Sequence, residues 1–309
     1  MSAGSRCALG LDVGGTKIAG GVVIFPEGRV LERKIIPTRP ERGGEAILAD
    51  VIALIEELRS WADTRQLHPQ ALGVGLAELV DRQGNIASAA TIHWQNLPVH
   101  ARLSAVLPTF FDADVRAAAR AEAAFGAGRA YRHFLYVTVG TGISSCLVLE
   151  GQPYPGARGL AGTFASSPGL IVDEAGLPLV AAPLEAIASG PALAARLRRT
   201  DSSFAGASPE VCARANQGEP LARQVVDMAG RCLGAAIAQL INTLDPEAVI
   251  LGGGLGLAGG RFCEMLELSM REHCWSPLHR DLPLLQARAG PDGGIIGSAW
   301  AALDHRNPN

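Results

Sequence analysis

Short apolar runs broken by glycine alternate along this chain with longer stretches of helical period. Cys7–Val13 and Lys17–Phe25 are β-prone and separated by Gly14-Gly15-Thr16, which predicts a hairpin with a glycine tip. Over Ala46–Arg59, the residues Ile47, Val51, Leu54, Ile55 and Leu58 recur at a spacing that places them on one helical face. Ala71–Leu76 predicts a strand, Asp81–Asn85 a turn, Phe110–Asp112 another strand, and the alanine-rich Val115–Phe125 a helix.

The pattern then restarts. Phe134–Val139 and Ile143–Leu149 form a second pair of β-like runs around Gly140-Thr141-Gly142. Helices are predicted over Leu184–Arg198, Leu221–Leu244 and Arg261–His273, with a short buried strand at Ala248–Leu251 ending in Gly252-Gly253-Gly254. Leu284–Arg288 reads as a strand and Ile295–Leu303 as a closing helix. Two glycine hairpins about half a chain apart, each opening a β-then-α series, predict a duplicated α/β architecture of two related domains facing across a cleft. The expected division is 1–115 and 116–291, with the closing helix of 292–309 packing back on the first domain.

Composition narrows the function classes. With 48% hydrophobic and 18% charged residues the chain can bury a large core, and its formal net charge of −3 gives no footprint for nucleic acid or an anionic membrane. No run of about 18 apolar residues predicts a membrane-spanning helix. Met1–Leu11 carries no basic segment followed by a long apolar one, so no signal peptide is expected. Six scattered cysteines without a C-x-x-C pair read as buried reduced thiols. A cytoplasmic protein is the expectation.

Three constellations carry candidate chemistry. In Asp12-Val13-Gly14-Gly15-Thr16-Lys17, glycines at the hairpin tip let successive backbone N–H groups approach phosphate oxygens. Asp12 at the strand end suits a hydrated Mg²⁺ beside them. Thr138-Val139-Gly140-Thr141-Gly142 repeats the hydroxyl-and-glycine design, and the two hairpins together suit the gripping of a polyphosphate. Gly252-Gly253-Gly254 offers bare backbone to a flat ring such as adenine, where an ordinary strand-to-helix turn needs fewer glycines. Each motif alone is also compatible with a plain tight turn.

The order D-x-G-G-T-K, V-G-T-G, G-G-G resembles the ROK (repressor, open reading frame, kinase) family, which includes bacterial glucokinases and N-acetylmannosamine and N-acetylglucosamine kinases. The resemblance runs through Gly151–Gly162, Leu184–Leu193 and Asn242–Gly254. It implies two actin-like (ribonuclease H-like) α/β domains, ATP and Mg²⁺ as cofactors, and phosphoryl transfer to a hydroxyl of a sugar-like small molecule. A homodimer or higher homo-oligomer is also implied. The family's base is the aspartate of a pattern like N-D-x-N-A-A-A. Here Ala113-Asp114-Val115-Arg116-Ala117-Ala118-Ala119 stands there, so the resemblance makes Asp114 the general base, although both asparagines are replaced. A helix N-cap would equally favour an aspartate at this position.

The pattern also breaks. Where the family's sugar loop reads G-E-x-G-H, this chain has Gly162-Thr163-Phe164-Ala165-Ser166, so hydroxyls of Thr163 and Ser166 replace a carboxylate and an imidazole. The family's C-x-C-G-x-x-G-C zinc segment has no counterpart in Ser167–Pro183, which leaves Asp173, Glu174 and Glu185 as the nearby carboxylates. No zinc site is expected, and packing of Phe164, Leu170, Ile171 and Leu177 is expected to order the loop instead. Asn96, in Gln95-Asn96-Leu97-Pro98, and Glu185 match positions that contact sugar in the family. Glu78 stands where relatives carry the glycine of P-G, and is expected to supply a replacement carboxylate to the substrate. Turn and helix-start roles are open for Asn96, Glu78 and Glu185. Loss of the Glu–His pair leaves a second reading, a sugar or nucleotide sensor that has lost turnover. A DNA-binding repressor of the same family is not expected, because Asp12 follows only Met1–Leu11.

Overall fold

A computed structural model of the chain describes residues 6–172 and 178–305. The first glycine hairpin joins β1 (Arg6–Val13) to β2 (Lys17–Phe25), followed by β3 (Arg29–Pro37) and helix α1 (Gly44–Asp63). Next come β4 (Leu72–Leu76), α2 (Val99–Ser104), β5 (Thr109–Ala113) and α3 (Asp114–Phe125). The second hairpin joins β6 (Phe134–Val139) to β7 (Ile143–Leu149), and the short β8 (Gln152–Pro153) turns back on β7. A two-stranded ladder of β9 (Pro168–Val172) and β10 (Pro178–Pro183) precedes α4 (Glu185–Ala188), α5 (Gly190–Thr200) and α6 (Ser208–Asn216). Then follow α7 (Pro220–Leu244), β11 (Ala248–Gly252), α8 (Gly253–Gly256), α9 (Gly260–His273) and α10 (Pro277–Arg280). The last elements are β12 (Leu284–Gln286) and α11 (Gly293–His305).

The two main sheets share one topology. The first runs β3-β2-β1-β4-β5, and the second, read in the same sense, runs β8-β7-β6-β11-β12. In each, the opening strand lies centrally, its hairpin partner flanks it, and two later strands add on the other side in parallel. The middle parallel strands β4 and β11 are buried along their whole length, as strands covered on both faces must be. This is the duplication expected from the paired hairpins.

The chain forms two compact units: 1–130, 148–161 and 288–309 make the first, and 131–147 and 162–287 the second. Helix α3, placed after the expected boundary at residue 115, packs on α11 within the first unit. The closing helix is close to the sheet: a Cβ at Gly73 would meet the backbone nitrogen of Ala299 at 2.8 Å, and one at Gly10 the carbonyl carbon of Ile295 at 2.8 Å. Glycine in both strands therefore lets the α11 backbone lie directly on β1 and β4. In the second unit Gly230 and Gly234 do the same for α7 against α9.

Three local differences from the sequence reading have physical causes. Strand β3 has no buried residue and carries Arg29, Glu32, Arg33 and Lys34, the composition of a solvated edge strand rather than an apolar run. The helix expected over Leu184–Arg198 is two helices, because Ser189 leaves helical dihedrals and its side chain accepts from Ala192 N ahead of Pro191. Helix α6 is amphipathic but too short to stand out by period alone. Of the residues expected to order the sugar loop, Phe164 packs on the second unit's core. Leu177, Asp173 and Glu174 lie outside the described residues, as do the side chains of Leu170 and Ile171. Among the described residues no helix is long and apolar enough to cross a membrane, and no group of three or more His, Cys, Asp or Glu is placed to hold a metal ion.

Candidate active site

In the first unit the hairpin tip is fixed by neighbours on both sides. Gly14 N donates to Lys17 O at 3.0 Å, and the fully buried Thr38 donates from Oγ1 to Gly14 O at 2.6 Å. Thr38 N donates in turn to Thr16 O, while Thr16 and Lys17 stay exposed. Thr38 was not legible as a site residue, since it closes the edge strand that the apolar pattern did not show. A Cβ at Gly15 would meet Thr91 Cγ2 at 2.5 Å, so the segment through Thr91 lies against the tip.

Asp12 ends β1 beside this tip, and the backbone of Gly294 at the start of α11 packs on its carboxylate, a Cβ there falling 2.7 Å from Asp12 Cγ. Burial raises its pKa, against the lowering effect of Lys17. Asp114 opens α3 directly after β5, and its Oδ1 accepts from Val115 N at 2.6 Å. Burial first, and the charge of Asp12 second, push its pKa up to about 7, against the Val115 amide and Arg116. The two carboxylates thus sit within electrostatic reach of one another.

Arg116 occupies the place of a family asparagine but is turned inward. Its guanidinium pairs with Asp112, donates to Gly159 O at 2.6 Å and to Val80 O at 2.8 Å, and is buried. All three bonds lie within the first unit and anchor two loops to α3.

Glu78 corrects an expectation. Its carboxylate is buried and accepts from Ser88 Oγ, from Ala90 N at 3.0 Å, from Thr91 N at 2.6 Å and from Ile92 N at 2.7 Å. Burial works against the charge, but these bonds outweigh it and hold the carboxyl below its usual range. Both oxygens are taken up by the chain itself, so Glu78 is no free carboxylate for a substrate. Asn96, further along the same segment, exposes its amide two residues after the buried Trp94, whose Nε1 donates to Gly44 O at 2.9 Å.

The second unit gathers the remaining candidates. Gly140 N donates to Gly142 O at 2.9 Å, closing the second tip, and Gly190 N donates to Gly140 O at 2.8 Å. Glu185 Oε2 accepts from Ile143 N at 2.8 Å, tying α4 to the same tip. Glu185 N donates to Ala165 O, which brings the turn carrying the exposed Thr163 and Ser166 alongside. The three glycines after β11 differ in their reasons. A Cβ at Gly252 would strike the Tyr136 ring, and one at Gly253 would meet Thr138 Oγ1 at 2.7 Å, whereas Gly254 has open space. Packing accounts for the missing side chain at the first two and not at Gly254. Thr138 is half-buried beside them and Thr141 is exposed.

Comparison with known proteins places the chain in a family. The sequence model of the ROK family matches residues 8–305. A glucokinase of Halalkalibacterium halodurans is 26% identical over 98% of this chain and 96% of its own length. An N-acetylmannosamine kinase of Escherichia coli is 29% identical over 95% of this chain and 97% of its own. The structure of a ROK family glucokinase from Streptomyces griseus in complex with glucose and AMPPNP superposes with a TM-score of 0.79 at 29% identity, covering 96% of this chain and 99% of that one. The chain therefore belongs to the ROK family, with the actin-like, ribonuclease H-like fold, and is an ATP-dependent carbohydrate kinase.

Proposed function

We propose that the protein transfers the terminal phosphoryl group of ATP to a hydroxyl of a hexose, amino sugar or cyclitol, with Asp114 as the general base. The observation that carries this reading is the Asp114 carboxylate at the start of α3, with its pKa pushed up to about 7 by burial and Asp12. A base with such a pKa is half deprotonated at neutral pH and still draws a proton effectively. As the acceptor O–H bond breaks, its proton passes to an Asp114 carboxylate oxygen. The acceptor oxygen forms the new bond to phosphorus while the bond to the departing ADP oxygen breaks.

Asp12 fits a Mg²⁺ held through water, because one carboxylate beside a phosphate-binding tip is the usual protein share of such a site. When bound, the metal neutralises phosphate charge. The amides of Gly14, Gly15, Thr16 and Lys17 receive phosphate oxygens. Thr138, Gly140, Thr141 and Gly142 serve the nucleotide in the same way, with Gly254 as the flat surface for adenine. Asn96, Thr163, Ser166 and Glu185 are the sugar contacts in this reading.

A panel of hexoses, amino sugars and cyclitols, screened for ATP-dependent ADP release, tests it. Turnover of at least one sugar is expected, and Asp114→Asn should lower it roughly a hundredfold or more with ATP binding retained. Sugar binding without ADP release across the panel favours the sensor reading, to which the exchange of Glu and His for Thr163 and Ser166 lends support. Near-normal turnover by Asp114→Asn removes Asp114 from the role.

A further inference from the structure

Three consecutive amides, Ala90, Thr91 and Ile92, converge on one carboxylate, the arrangement that elsewhere makes an anion-binding nest. Here the anion is the chain's own Glu78, which directly follows β4 at the point where Ala77 N still pairs with Val13 O beside the first glycine tip. The stem of the same loop is closed by Leu79 N to Ser88 Oγ at 2.8 Å and Ala87 N to Leu79 O at 2.7 Å. From α3, Arg116 holds the stem at Val80 O. Beyond the nest, Thr91 touches Gly15, Ile92 and Trp94 are buried, and the segment surfaces at Asn96.

We propose that Glu78 is a positioning residue of the sugar site: by gathering these amides it holds the segment from Ser88 to Asn96 against the Gly14–Gly15 tip and so presents the Asn96 amide to the sugar. The inference rests on Asn96 as a sugar contact. Glu78 and Arg116, neither of which matches the family pattern, anchor the two ends of one loop. The nest needs an acceptor at both carboxylate oxygens, because Oε1 takes the amides of Thr91 and Ile92 while Oε2 takes Ser88 and Ala90. A glutamine of the same shape always turns its NH₂ toward a backbone N–H, either that of Ala90 or those of Thr91 and Ile92, because only the Ser88 hydroxyl can switch to accepting.

The test compares the unsubstituted enzyme with Glu78→Gln, Glu78→Asp and Ser88→Ala. Amide hydrogen exchange at Ala90, Thr91 and Ile92 should accelerate tenfold or more in Glu78→Gln, with the β4 amides unchanged. The KM for whichever sugar of the panel is turned over should rise about tenfold while that for ATP moves less than threefold. Glu78→Asp, which keeps both acceptor oxygens, should recover part of each loss, and Ser88→Ala, which spares the three amide bonds to Glu78 but loses the stem bond from Leu79 N as well as its own, should raise the KM less than Glu78→Gln does. Asn96→Ala added to Glu78→Gln should raise the sugar KM no further, since both act through one amide. An active enzyme whose Glu78→Gln variant keeps the same sugar KM, or the same exchange rates, overturns the proposal and leaves the kinase reading intact. An unsubstituted enzyme that neither binds nor turns over any sugar overturns the kinase reading first, and the sugar role of Glu78 with it.

Discussion

Asp12 at the end of β1 raises the proton affinity of Asp114 at the start of α3, so the two carboxylates titrate as neighbours. A base must be deprotonated to work, and kcat/KM should therefore fall about tenfold per pH unit below a midpoint near 7. Asp12→Asn removes the nearby charge and should move the Asp114 midpoint to lower pH, read by carboxyl NMR titration. A midpoint that stays in place would show that Asp12 exerts no such influence.

The same shift has a signature in stability. Asp114 binds its proton up to about pH 7 in the folded protein but only up to about 3.9 when unfolded. Between those values the folded state holds the extra proton, so stability falls as pH rises through this window and is level above it. Asp114→Asn should be the more stable protein at pH 7.5, with a Tm advantage that shrinks toward pH 4. An advantage independent of pH contradicts the assignment.

Arg116→Ala takes the close guanidinium from the buried Asp112 carboxylate, leaving it Arg120 at 3.6 Å and the Ala113 amide, and removes the same donor from Val80 O and Gly159 O. Breaking a buried pair in this way costs about 3–5 kcal/mol, read in the urea unfolding of the first unit. Arg116→Lys keeps the charge but lacks the planar fork that reaches three acceptors, so it should recover only part of the loss.

Gly15→Ala brings a methyl onto Thr91 Cγ2 and should lower Tm. Thr91→Ser deletes that carbon and should restore most of the loss in the double variant, a coupling that independent sites do not show. Additive effects would mean that the tip and the Thr91 segment are not in contact.

Elemental analysis of the purified protein should find no stoichiometric zinc, because Ser167–Pro183 supplies neither thiol nor imidazole. One tightly held zinc per chain would reverse this expectation.

The duplicated hairpins were legible because glycines between two apolar β-prone runs are a turn signal that sequence displays directly. The helix that Asp114 opens was legible from its run of alanines. Glu78 was read as a carboxylate open to the substrate, and the chain's own donors occupy it instead. A carboxylate's position in a chain shows its charge, whereas its role depends on where the amides of Ala90, Thr91 and Ile92 turn, which no local pattern encodes. Thr38 and Arg116 were missed for related reasons. Thr38 ends a strand whose charged edge hides its period, and Arg116 was read as a lost asparagine when its reach to Val80 and Gly159 spans distant sequence.

Helix α11 covers the face of the first sheet on which Gly10 and Gly73 lie, packing with Ala8, Ala19 and Val23. On the ribosome, that cover arrives only after the whole second unit has been synthesised. At about 5–20 residues per second, the stretch between α3 and α11 takes on the order of ten to thirty seconds. During that interval α3 covers part of β4, while β1 and β2 lack their native helix on one apolar face. A chain ended before Gly293 would expose that face in the half that was made first.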